Sequence, residues 1–377
     1  MPRGRITSRS GAAWIFDEAV DKIMSPQRPK IRTTAIGAYP KPDYAPVANW
    51  FDLREVHRRN PTGTYSAYLR ERADDAEALL DRATEEVVRE QAEIGIDIPT
   101  DGEIRREHYI YYHLRRIDGF DFDHLTTKAM RDGSWKAEVP TVVSPLSAGA
   151  PFLARDWRVA QSVTEKPVKI TVPGPLTIID STANAHYESE QALALALADV
   201  LAVEIGALAD AGCRWIQVDE PLFARNPEKA LAYGVEALDR RFAGVPTSVN
   251  KAVHICCGYP SELDLEDYPK TDAASYFDLA DALDRSVVDA VSLEDAHRPN
   301  DLGLLECFAR STVILGVVDI AQTRIEAIDQ IRTRLKAALD HIDRERLIAA
   351  PDCGLIMLDR ETTAAKLRSM VAAARTV

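Results

Sequence analysis

What most limits the fold of this chain is a repeated alternation. Short apolar segments that read as strands recur at 32–37, 96–100, 168–172, 214–218, 251–256, 288–293, 312–316 and 347–350. Most are followed by a stretch with helical periodicity, at about 65–95, 188–212, 276–282, 324–342 and 361–374, with a further helix after Pro221. In the first of these helices Leu69, Ala76, Leu80, Ala83 and Val87 recur at helical spacing along one face. Eight strands interleaved with helices predict a (β/α)8 TIM-type barrel. An open doubly wound sheet is the rival, but it would usually show a glycine-rich strand-to-helix turn, and no GxGxxG occurs. Two segments fall outside the alternation. Residues 1–29 read as an N-terminal extension ending in Pro26 and Pro29, and 104–165 as an irregular insertion after the second strand, rich in Tyr, His, Arg and Pro. The domain reading is therefore an extension, 1–29, and one barrel, 30–377.

Composition narrows the function class. A 377-residue chain that is 46% hydrophobic can build a large core. Its net charge of -13, with no basic stripe, excludes duplex binding and suits small-molecule chemistry. Five scattered cysteines argue for free thiols in a reducing compartment, so the expected location is cytoplasmic. No uninterrupted apolar run reaches membrane-helix length, and the N-terminus lacks the apolar core of a signal peptide, so no membrane partner is expected.

In a barrel, reactive groups gather where strands end. Here those ends carry Gly37-Ala38, Asp101-Gly-Glu103, Asp219-Glu220, His254-x-Cys256, Glu294-Asp295 and Asp352-Cys353-Gly354. His254 and Cys256, two apart on a strand, face one side. With Cys353, and with Glu294 as a fourth ligand, they make a zinc set that leaves room for a substrate. Thiolate-rich zinc suits holding a substrate thiolate. Cys213 and Cys307 read as inert, and Cys257 as pointing away from the other two. Glu103 and Asp219 read either as a grip for a substrate amine or as salt-bridge partners of Arg105 and Arg106. The run Tyr109-Ile-Tyr111-Tyr112-His113 lines a pocket or packs, and His297-Arg298 opens a helix or supplies a proton donor and an anion clamp.

These stretches also resemble a known family. Thr34-Ala-Ile-Gly37-Ala-Tyr-Pro40, Asp101-Gly-Glu103, Lys166 to Pro175, Ile216 to Pro221, His254-Ile-Cys256, Leu293-Glu294 and Pro351-Asp-Cys-Gly354 occur in the order seen in the C-terminal catalytic barrel of cobalamin-independent methionine synthases. The resemblance implies zinc on His254, Cys256, Glu294 and Cys353, binding an acceptor thiol, with Glu103 and Asp219 gripping a homocysteine amine. Three positions depart from the folate-using enzymes: Ala38 where a serine helps hold the carboxylate, Ser181 where a tryptophan stacks by the pterin, and Ala321 where a histidine supplies a proton. The chain is also similar to the epoxyalkane:coenzyme M transferases (2-hydroxypropyl-CoM lyases). That branch implies a zinc-held coenzyme M thiolate opening an aliphatic epoxide. Arg298, Arg105 or Arg106 would then hold the sulfonate, and His297 or a tyrosine such as Tyr111 would protonate the alkoxide. Sequence alone favours this lyase reading, with homocysteine methylation as the alternative and a non-catalytic barrel with structural zinc as a remote third. The expected partners are a small thiol and its alkyl donor, with self-association into a homo-oligomer left open.

Overall fold

In the computed structural model, residues 30–45, 47, 63, 75–130, 135–265 and 270–377 are described. The N-terminal extension and the start of the helix expected from residue 65 lie outside them. Seven strands form one parallel sheet: β1 (Arg32–Thr33), β4 (Lys169–Pro173), β6 (Trp215–Asp219), β7 (Asn250–Ile255), β8 (Ala290–Leu293), β9 (Thr312–Val318) and β10 (Leu347–Pro351). Their spatial order is β1-β10-β9-β8-β7-β6-β4. The sheet curls: single parallel bridges, Thr34 to Ile98 and Thr100 to Lys169, link the β1 end to the β4 edge through the segment 98–100.

Burial explains why these segments are strands. β4, β6, β8 and β10 are buried at every position, as expected where helices cover the outer face and side chains fill the inner one. Ile36, Ile98, Trp215, Ala252, Ala290, Ile314, Ile348 and Ala350, drawn from most of the strands, form a separate small core. β4 contributes none of these; its residue paired with Trp215 is Lys169. Outside lie α1 (Ala76–Ile94), α2 (Leu153–Gln161), α3 (Pro175–Asp180), α4 (Glu190–Ala211), α5 (Ala274–Arg285), α6 (Ile328–Ala338) and α7 (Arg360–Arg375).

Two sequence expectations change. The insertion is ordered: β2 (Ile117–Met130) and β3 (Trp135–Ala148) pair antiparallel as a long hairpin, and the two-residue β5 (Ala183–Asn184) joins β3. Its alternation is hard to read because much of the ribbon faces solvent and the register shifts twice. Lys128 fastens it to the end of α3 by donating to the Ile179 and Thr182 carbonyls, both at 2.8 Å. Secondly, α4 is long and apolar enough to cross a membrane by length and composition, with a hydropathy of 2.1. It packs instead as a core helix: Leu193, Leu197, Leu201, Ile205 and Leu208 are buried, and Glu204 accepts from the backbone N–H of Phe152 and Leu153.

Candidate metal centre

His254 is the last residue but one of β7 and Cys256 lies just past its end, while Cys353 lies just past the end of β10. Two strands separate β7 from β10, so the curl of the sheet is what brings the three together. Their ligand atoms all lie within 4.8 Å of one another, and the two sulfurs are 3.6 Å apart. All three side chains are buried. The imidazole is oriented by Ser292 of β8, whose hydroxyl lies 2.9 Å from Nδ1. Nε2 is buried with no hydrogen-bond partner among the described residues. A buried nitrogen left unpaired is costly unless something binds it. An imidazole fixed through one nitrogen, offering the other beside two sulfurs, has the donor set and second-shell support of a zinc site. Burial is the largest influence on the imidazole and lowers its pKa, but Cys256, Asp219 and Glu294 together raise it above the ordinary value. The Cys353 thiol, followed by burial, pushes Cys256 well above the ordinary thiol range.

Glu294 ends β8 beside this trio but is not one of the three clustered groups. Its Oε2 accepts from the Cys257 N–H at 3.0 Å, and its Oε1 is paired with Lys270 at 3.0 Å. Asp352 braces the arrangement from below. One of its oxygens accepts from the N–H groups of Asp295 and Ala296 and the other from that of His297, so the loop carrying Glu294 is tied to the residue before Cys353.

Two buried carboxyls form a second part of the site. Glu103, with a positive φ of 55°, places Oε1 2.7 Å from the Thr171 hydroxyl and 3.2 Å from Arg106. Asp219, at the end of β6, accepts from Gln217 Nε2 at 2.7 Å. Burial raises both pKa values; the Asp219 charge raises Glu103 further, and His254 pulls Asp219 back. Two carboxyls that feel each other, one of which also feels a metal-ligand histidine, make a site suited to a cation.

The remaining expected residues are already engaged, Arg106 and Ala38 at the site and the others in contacts of their own. Arg105 is taken up by Glu77, Asp81 and Asp156. Arg106 is buried against Asp101, Glu103 and Thr171. Arg298 donates to the Thr271 carbonyl. His297 Nδ1 sits 3.3 Å from Asp319. Tyr111 stacks on His108 at 4.0 Å and donates to the Ser181 carbonyl at 3.1 Å. Ala38 lies behind the cysteine turn, its carbonyl accepting from Leu355 N–H at 2.8 Å.

Sequence reasoning missed Tyr259, and it picked Tyr111 from an aromatic run in which Tyr109 is the residue that feels the thiols. The Tyr259 hydroxyl bonds to the Cys353 sulfur and sits where a Cβ on Gly354 would come within 2.3 Å of it. Tyr109 is close enough to Cys256, Asp219 and Cys353 for their charges to raise its pKa, after burial. The visible signal for Tyr259 was the Gly-Tyr-Pro turn after the cysteines; for Tyr109 it was the aromatic run.

The chain is similar over nearly its whole length to known proteins. The family model for the cobalamin-independent synthase catalytic domain matches residues 31–376. The methionine synthase of Thermococcus kodakarensis is 32% identical over 345 residues, covering 91% of this chain and 92% of that one. That of Sulfurisphaera tokodaii is 30% identical over 345 residues, 91% of each chain. Among solved structures, a B12-independent methionine synthase from Shewanella sp. W3-18-1 in complex with selenomethionine superposes with a TM-score of 0.79 at 28% identity, covering 92% of this chain and 98% of that one.

Proposed function

Because the chain belongs to the catalytic-domain family of the cobalamin-independent methionine synthases, we propose that it transfers a methyl group to the thiol of homocysteine at a zinc ion. The ring of strands, completed by the 98–100 segment, reads as a (β/α)8 barrel with this site at the strand ends. His254 Nε2 and the sulfurs of Cys256 and Cys353 would hold the metal, with Glu294 beside them as the family's fourth ligand. Zinc would supply the acidity that keeps the substrate thiol deprotonated at neutral pH.

The protein's own groups do the rest. Glu103 and Asp219 bind and orient the substrate ammonium, which places its sulfur toward the cysteines. Burial of the three ligands keeps water from the thiolate. Tyr259 donates to Cys353 and steadies that ligand.

The observation that carries this reading is the buried Glu103–Asp219 pair beside the three ligands. It complements an amino acid and repels a sulfonate. Of the arginines that a coenzyme M reading would enlist, Arg105 is engaged with Glu77, Asp81 and Asp156, Arg298 with the Thr271 carbonyl, and Arg106 with Asp101 and with Glu103 of the pair itself. The preference for epoxide opening drawn from sequence therefore gives way to its alternative, which the names of the relatives also favour. Ser181, Ala321 and Ala38 stand where the folate-using enzymes have other residues, so the donor is tested together with the acceptor. Purified zinc-loaded protein is given homocysteine with methylcobalamin or methylfolate and, separately, coenzyme M with epoxypropane. Methionine formed with either donor supports the proposal. Thioether formed from coenzyme M alone, or no methionine with any donor, overturns it.

A further inference from the structure

Inside the curled sheet one residue is out of character. Lys169 opens β4, sits in register with Trp215 of β6, and is fully buried. No carboxylate pairs with it among the described residues. Its Nζ donates to Gln217 Oε1 at 2.6 Å. A buried ammonium facing a neutral partner is costly to keep and calls for a reason beyond packing. Burial draws its pKa down to about 7, with Asp219 opposing.

The geometry beyond Lys169 supplies that reason. In its charged form Lys169 can only donate, which matches the Gln217 carbonyl oxygen turned toward it. Its NH2 group then faces the other way, donating to the Ile36 carbonyl at 3.0 Å and to Asp219 Oδ1 at 2.7 Å. The lysine on one side and the Ile36 carbonyl and Asp219 carboxylate on the other thus favour the same amide orientation. Gln217 and Asp219, two apart on β6, share the inner face, which carries this chain up to the strand end. A flipped amide would present its oxygen to the carboxylate instead and push it away.

We propose that Lys169 and Gln217 are positioning residues for the substrate ammonium: they hold one Asp219 oxygen and leave the other to face the substrate. Neither touches the substrate. Lys169 also helps keep Asp219 charged against its burial, alongside His254, Gln217 and Arg106. This inference rests on the amino-thiol reading given above.

Calorimetry on the zinc-loaded protein tests it with two thiols, homocysteine and 4-mercaptobutyrate, which keeps the thiol and carboxylate but lacks the amine. Lys169→Met and Gln217→Met are each expected to bind homocysteine about tenfold more weakly or worse, the scale of a lost hydrogen bond to a charged group. Their affinity for 4-mercaptobutyrate and their zinc content should match wild type. Equal weakening toward both thiols, or unchanged homocysteine affinity, overturns the inference. Should Lys169→Met fail to fold, Gln217→Met, which removes no charge, decides. A wild-type protein that prefers neither thiol would instead refute the amino-thiol reading and take this inference with it.

Discussion

At the scale of single residues, the clustering of the histidine and cysteines was legible because strand alternation turns a two-residue spacing into a shared direction. His254 and Cys256 needed only that rule, and Cys353 needed the position of a later strand end. Glu294 was equally visible as a strand-end carboxylate, but its hold on Lys270 and the Cys257 N–H could not be read, since Lys270 lies in a stretch with no regular pattern. Cys353→Ala is expected to purify without the one zinc per chain of the wild type, as measured by atomic absorption; full zinc in the variant would exclude Cys353 as a ligand. A pH dependence follows from the thiols. Without metal, Cys256 is held protonated at neutral pH by its neighbour Cys353 and by burial. Zinc must displace protons, so affinity rises with pH and falls as acid competes for the sulfurs. Titrations at roughly pH 7 in two buffers of different ionisation heat should give different apparent enthalpies. Identical heats would mean that no proton is released.

At the scale of elements, the strand ends were predictable and the devices that join them were not. Asp352 was expected at the end of the last strand, but its hold on the three N–H groups after β8 reaches across β9, which lies between β8 and β10, and so depends on the order of strands in the sheet. That brace fixes Glu294 and Cys353 relative to each other. Asp352→Ala is expected to weaken zinc binding about 10- to 100-fold, the range for outer-shell partners of metal ligands, while the secondary structure by circular dichroism stays as in the wild type. Wild-type zinc affinity in this variant would show that the brace is dispensable. The same logic explains the hairpin β2–β3. Its attachment through Lys128 to α3 is a long-range contact, and a half-exposed ribbon with bulges leaves little period-two signal in the chain.

For the molecule as a whole, the order of the seven parallel strands was legible because each carries an apolar run, whereas the expected strand 96–100 makes only single bridges, the three strands of the second sheet were not foreseen, and nothing in the sequence showed what holds the last helix in place. Lys366 of α7 is fully buried, and its ammonium meets Glu326 at 2.8 Å and the carbonyls of Asp319 and Arg324 at 3.0 and 2.6 Å. Glu326 in turn accepts from the Asp319 N–H at 3.0 Å, so the segment after β9 and the C-terminal helix share one buried polar knot. Because α7 also packs against β1, β9 and β10, where the first and last strands meet, loosening it should affect the closure of the sheet. Lys366→Met keeps the length and apolar stem of the side chain but leaves the Glu326 carboxylate buried without its cation. Breaking a buried pair from one side costs about 3–5 kcal/mol, more than replacing both partners would. Urea unfolding should therefore show a clear drop in midpoint for Lys366→Met, and a smaller one for the double variant Lys366→Met/Glu326→Gln, in which the stranded charge is removed. Equal losses in the two variants would mean that the ammonium's bonds to the Asp319 and Arg324 carbonyls, absent from both, rather than the ion pair, anchor α7.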